Sequence, residues 1–247
     1  MKRAIIGASV LLAVFLFTGP GAYAADTGWK TEIAPYAWFA GLSGDFTVKG
    51  TSTNINESFS DLSKYLDFGG FLHVESGKDR FAILFDTAYI KLSDSTTLAK
   101  VHMTESITEF GAAYRLLGVE SGPGLALDVL GGGRYMYLQG ELNLFGTIDR
   151  TGRKDWIDPF VGARVRWGLT KNLLIVVRGD VGGFDIDRCS TSSWNAVGTI
   201  AYSFTDSFSV GAGYKAYYDH YENGALFNKF EYNATMKGPF VGVAFGF

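Results

Sequence analysis

The chain closes on GPFVGVAFGF, residues 238–247, with Phe247 in last place. Read in steps of two, Val241, Val243, Phe245 and Phe247 share one face, and Gly242, Ala244 and Gly246 share the other. This is the period of a β-strand, with bulk on one side and small residues on the other. A sheet in water more often turns its bulk to a core and polar groups to solvent. Here the large face needs a different medium, and hydrocarbon is the candidate.

The opposite end limits the compartment. MKR is a basic start, Ala4 to Phe17 is nearly all apolar, and Ala22-Tyr23-Ala24 fits an A-x-A cleavage site. Residues 1–24 therefore read as a secretory signal peptide, cleaved on export, and residues 25–247 as one barrel domain. Beyond it no apolar run approaches the roughly twenty residues of a membrane helix. LLIVV at 173–177, the most apolar stretch, is closed by Arg178.

Composition agrees with an exported β protein: 32 Gly, 5 Pro, 15% aromatic residues and a net charge of -3. Nothing here suggests a nucleic-acid partner, which calls for a basic patch. The lone Cys189 has no internal disulfide partner.

The alternation recurs in segment after segment. In KDRFAILFDTAYIKL, Phe81, Ile83, Phe85 and Tyr89 oppose Asp86; in DPFVGARVRW, Val161, Ala163, Val165 and Trp167 oppose Asp158, Arg164 and Arg166. Ten strands are expected, near 29–41, 68–77, 80–93, 103–117, 125–144, 153–168, 173–187, 193–204, 208–221 and 229–247, with eight or twelve as the alternatives. Short turns (GKD, GVESGPG, LTKN, TDS) alternate with longer polar stretches read as loops: SDSTTLAK, FGTIDRTGRKD, FDIDRCSTSS and DHYENGALFN. That asymmetry is the habit of outer-membrane barrels, whose short turns are periplasmic. Closure pairs every backbone donor and acceptor, which lipid demands. The fold class is thus all-β, a closed antiparallel transmembrane β-barrel. Phe81, Tyr114, Trp167, Phe204, Phe208 and Phe247 at short-turn ends, and Tyr89, Tyr135, Tyr137, Trp194 and Tyr218 at long-loop ends, make two interfacial girdles.

Some features resist. Pro35, Pro159 and Pro239 interrupt strands, and Phe230, Tyr232, Ala234 and Met236 carry bulk on even positions before the face turns odd. A bulge at Gly238-Pro239 is expected to absorb that shift, and similar bulges are expected at the other prolines. Residues 44–67 fit an extracellular hairpin, two more strands or a piece inside the lumen, with DLSKYLD a short helix capped by Ser60.

Several stretches together resemble a family of small, mostly uncharacterised Gram-negative outer-membrane β-barrel proteins: SFSDLSKYLDFGG at 58–70, FDTAYIKL at 85–92, FGAAYRL at 110–116, GGGRYMYLQGEL at 131–142, DWIDPFVGARVRW at 155–167, RGDVGGF at 178–184 and the terminal strand. The resemblance implies location in the outer membrane, contact with its lipid and lipopolysaccharide, and a monomer by default. Phe245 and Phe247 resemble the C-terminal signal read by barrel-assembly machinery. No settled activity comes with the family.

Parity turns a set of charges inward: His73, Glu75, Asp86, Glu109, Arg115, Asp128, Arg134, Asp158, Arg164, Arg166, Arg178, Asp180 and Lys215. Opposite charges in a narrow tube should pair, either plugging the barrel or tuning a narrow pore for small polar or ionic solutes. In the pore reading Arg164, Arg166 and Arg178 face Asp158 and Asp180. An enzyme would need a rim constellation such as Asp219-His220 with Asp185 and Asp187. Neither G-x-S-x-G nor H-E-x-x-H occurs, so no catalytic residue is assigned. No metal or other cofactor is assigned either, since His73 and Glu75 lack a third ligand nearby. Surface adhesion is the remaining class, with no ligand specified by the loops.

Overall fold

A computed structural model describes residues 28–48, 50–95, 99–118, 123–144, 148–186 and 188–247. The signal-peptide stretch, the centre of GVESGPG and Asp187 lie outside the described residues. The strand segments are β1 (Lys30–Trp38), β2 (Gly41–Val48), β3 (Thr51–Glu57), β4 (Leu66–Lys78), β5 (Phe81–Ser95), β6 (Ala99–Gly118), β7 (Gly124–Leu144), β8 (Ile148–Gly168), β9 (Leu173–Gly182), β10 (Ser192–Thr205), β11 (Phe208–Asn223) and β12 (Phe230–Gly246). Neighbours pair antiparallel, and β1 meets β12 to close the barrel. No helix among the described residues is long and apolar enough to cross a membrane.

Twelve segments make ten columns. β1 and β2 run against β12 in one unbroken register, from Glu32↔Gly246 through Trp38↔Phe240 to Gly41↔Lys237 and Val48↔Phe230. Only Phe39 and Ala40 depart from strand geometry, and there Phe39 N–H still donates to Pro239 O at 2.9 Å. β3 hairpins back on β2, and the helix α1 (Phe59–Leu62) leads down into β4. Residues 44–67 are thus an extension of the wall. The N-cap of α1 is Ser58, not Ser60, because the helix begins at Phe59. Lys64 lies 2.7 Å from Asp61 and, with the Ser58 hydroxyl, lowers the Asp61 carboxyl below its ordinary range.

None of the three prolines sits in a bulge. The β1·β12 pairing skips Ala34 and Pro35 and resumes in the same register at Tyr36↔Gly242. Pro159 keeps register with Gly133, and its missing donor falls where β9 peels away, with Gly183 N–H donating to Pro159 O at 3.1 Å. Pro239 pairs in register with Tyr214, and its donor is lost opposite the Phe39–Ala40 interruption. A missing donor costs little where the neighbouring strand is already broken.

β6 and β8 are taller than alternation suggests, beginning at Ala99 and Ile148, whereas β7 keeps its expected span. β7 and β8 have 21 residues each, or about 70 Å of extended chain at roughly 3.3 Å per residue. An apolar band of about 25 Å uses only part of that, even with tilt. SDSTTLAK and FGTIDRTGRKD are largely ladder, as the pairings Ser95↔Lys100 and Leu144↔Ile148 show. β9 is shorter than expected: it ends at Gly182 because Gly183, Phe184 and Asp185 all take positive φ.

Outside, the odd and even rules give a continuous apolar skin. Ile83, Phe85, Phe110, Val161, Val177, Val181, Ile200 and Val241 are all exposed, as are Phe81, Tyr114, Trp167 and Phe204 at one end and Tyr89 and Trp194 at the other. In water such a surface would be a liability; in hydrocarbon it is the requirement.

Candidate functional site: a two-part lumen

All thirteen charged residues assigned to the lumen by parity sit on strands, on the face away from this skin. Twelve of them form two groups. At the lower level, toward the short turns, Asp128 on β7 is 2% exposed and is surrounded by three guanidiniums. Arg164 Nε donates to it at 2.9 Å, Arg166 Nη2 at 3.2 Å, and Arg115 Nε lies 3.6 Å away. Arg164 also grips Glu75 with both terminal nitrogens, at 2.5 and 2.9 Å. The bidentate fit is the geometry Arg offers and Lys does not.

At mid-height, Arg134 is fully buried. Its Nε donates to Glu109 at 2.8 Å, one terminal nitrogen donates to Asp180, and another reaches Ser193 Oγ at 3.4 Å. The Phe160 and Tyr217 rings lie 5.0 Å from its guanidinium carbon. Arg178 bridges the same two acids, at 2.7 Å to Glu109 and 2.9 Å to Asp180. Across the lumen Asp86 accepts from Lys215 at 3.0 Å and Tyr36 Oη at 3.0 Å, and meets His73 Nδ1 at 3.2 Å. His73 is thereby held between Asp86 and Glu75, the latter 3.9 Å away.

Asp158 is the exception. Its carboxylate accepts the Ser190 backbone N–H at 2.7 Å instead of a basic side chain, and Arg164 and Arg166 serve Asp128. It belongs to a third group, in which Ser190 Oγ and Tyr217 Oη both donate to Asp219 at 2.5 Å and Trp156 Nε1 donates at 3.4 Å. The positive φ values at Phe184, Asp185 and Arg188 fold the β9–β10 connection inward so that Ser190 reaches this place.

Above the charges the lumen is apolar and aromatic. Trp38, Leu42, Ile107, Met136, Trp156, Tyr217, Tyr232 and Met236 form one buried cluster. Trp156 stacks on Tyr221 with centroids 4.3 Å apart. Trp38 Nε1 donates to Gly238 O at 3.2 Å, and Tyr232 Oη donates to Glu105 at 2.7 Å, so the polar tips are satisfied. Each such burial contributes on the order of 1.5–3 kcal/mol. Parity alone missed this cluster. Tyr232, Ala234 and Met236 do not mark a phase shift; they point inward on the same even face as Gly242 and Ala244. The available signal was bulk at inward positions 156, 217, 221 and 232.

Asp219 and His220 point to opposite faces, as neighbours on a strand must. Asp219 is buried in the lumen, whereas His220 lies outside, 3.5 Å from Glu231. The rim constellation weighed for hydrolysis is therefore split by the wall.

No family model matches the chain, and no curated protein matches it. Among solved structures, it is similar to the outer-membrane protease OmpT of Escherichia coli (8% identity, TM-score 0.49, covering 89% of this chain and 96% of that one). It is also similar to the attachment invasion locus protein Ail of Yersinia pestis, solved with a heparin analogue (10% identity, TM-score 0.41, 89% and 99% covered). The N-terminal β-barrel domain of Pseudomonas aeruginosa OprF is a third (14% identity, TM-score 0.36, 89% and 96% covered). These neighbours of the chain are Gram-negative outer-membrane β-barrels.

Proposed function

We propose that the protein is an integral barrel of the outer membrane with a structural role, its lumen held shut by paired charges at mid-height and an aromatic core above. One observation carries this: around the upper lumen, buried side chains come from nearly every column, including Trp38, Ala88, Ile107, Met136, Trp156, Asn195, Tyr217 and Tyr232. Ten columns leave little bore to fill, and sixteen would leave a channel. The narrow-pore reading needs a wetted path past Arg134, and Arg134 has no exposed surface. On this reading the charges at Glu109, Arg134, Arg178 and Asp180 are wall braces and not a selectivity filter. Phe245 and Phe247 serve as the assembly signal, and the skin contacts lipid and lipopolysaccharide as a monomer.

Planar-bilayer recording tests the closed lumen. Purified protein should give no unitary steps, in wild type and in Arg166→Ala alike. Steps of constant amplitude that Arg166→Ala alters would overturn the reading and restore the pore. Location has its own test: the processed chain should sediment with outer membrane and need detergent to leave it.

A further inference from the structure

Beneath the closed part, the lumen opens into a cavity of about 750 Å³. Its mouth is at the short-turn end, framed by Lys30, Lys78, Arg80, Asp206, Ser207 and Phe247, and its ceiling includes Tyr36, Lys215 and Phe240. We propose that this is a binding pocket, entered from the periplasm, for a small amphipathic anion with one carboxylate or phosphate head and a short apolar tail. The proposal rests on the closed-lumen reading, because only a ceiling makes the space a pocket.

Two walls of different chemistry carry it. One wall, from β6 to β8, presents Arg115, Arg164 and Arg166 around the single carboxylate of Asp128, with Glu75 satisfying Arg164. That is three guanidiniums for two acids. The Nε atoms of Arg115 and Arg166 are buried and meet Asp128 only as ion pairs, at 3.6 and 3.0 Å, so one carboxylate is shared among three guanidiniums. Glu32 adds a third acid, which interacts with Arg164 as well as with His73 and Glu75, and the cavity lining as a whole carries eight Lys and Arg side chains against six Asp and Glu. An arriving oxyanion would complete the charge balance, which a low-dielectric site otherwise leaves unfavourable. The facing wall is mostly apolar: Leu174, Val176, Val197, Ala201 and Ala244, with the hydroxyl side chains of Thr199, Ser203 and Ser209 among them. Its aliphatic part suits an alkyl or small aryl tail. Small-molecule sites run to roughly 300–1,000 Å³ and are mostly apolar with a few placed polar groups.

Guanidinium recognises carboxylate and phosphate heads alike, so the test uses both. Protein in nanodiscs of zwitterionic lipid is titrated calorimetrically with hexyl phosphate, hexanoate and inorganic phosphate, and empty discs give the background. Saturable binding of at least one hexyl anion, above inorganic phosphate, supports the pocket. Arg166→Gln should weaken it by about tenfold, the loss of one charge-assisted contact. Ala201→Trp, which fills the space without touching a charge, should abolish it, and heat-modifiable migration on gels verifies that each variant folds. Binding no greater than empty discs overturns the proposal. So does binding that neither variant changes, or inorganic phosphate binding as well as the hexyl anions. Bilayer conductance is recorded on the same samples: steps without binding break the closed lumen and the pocket together, and silence without binding breaks the pocket alone.

Discussion

The two halves of the lumen solve the same problem by opposite means. Above Arg134 the inward positions are filled with Trp, Tyr, Met and Leu, packed as in the core of a soluble domain. Below it the inward positions carry charges and aliphatic side chains such as Leu84, Leu174 and Val176, and space remains. The upper half gains from burial and tolerates no vacancy. The lower half gains little net energy from its ion pairs, since desolvation offsets much of their attraction, yet losing one partner is severe. The contrast separates what closes this barrel from what lines its opening.

The largest effect should come at the boundary between the halves. Arg134→Ala leaves Glu109 and Asp180 to share Arg178 alone in a dry site and should lower stability by about 3–5 kcal/mol. The urea midpoint for loss of heat-modifiable migration reads this, and an unchanged midpoint would mean that Arg178 by itself satisfies both acids. In the upper half, Met136→Ala should cost about 2–5 kcal/mol through the cavity it leaves. Combined with Tyr232→Ala, it should also introduce conductance steps where Arg166→Ala introduces none. Silence from that double variant would show that the seal lies elsewhere. On the skin, Val177→Arg should destabilise by about 2–4 kcal/mol if that position meets mid-bilayer hydrocarbon. A neutral result there would break the membrane orientation itself. The smallest effect belongs to the surface: Lys64→Ala removes an exposed ion pair with Asp61 and should leave the urea midpoint where it was.

The sequence is most readable where one face meets lipid. Ile83, Phe85, Val161 and Val177 declare the strand period because their face stays apolar while the other face carries Asp86, Arg164 and Arg178. The ten columns follow from it. It is least readable where the sequence is polar on both faces, so the upper ends of β6, from Ala99, and of β8, from Ile148, were expected to be loops. The upper core was hidden for the converse reason. Tyr232 and Met236 are apolar and inward, and by period alone they are indistinguishable from lipid-facing residues after a register shift. The identity of the charged residues was legible from parity, but their partners were not. Arg164 and Glu75 are 89 residues apart, and Asp128 was not foreseen as the hub of three arginines. Only closure of the wall brings such positions together.

The height of β5 to β8 changes what this protein offers to its surroundings. Where most barrels display pliable segments to the outside, these four present hydrogen-bonded sheet well past the aromatic belt. A protease must draw its target out as a lone strand, and a laddered backbone resists that until neighbouring rungs break. Whatever approaches from the medium therefore meets a stiff parapet whose shape is written in its pleats.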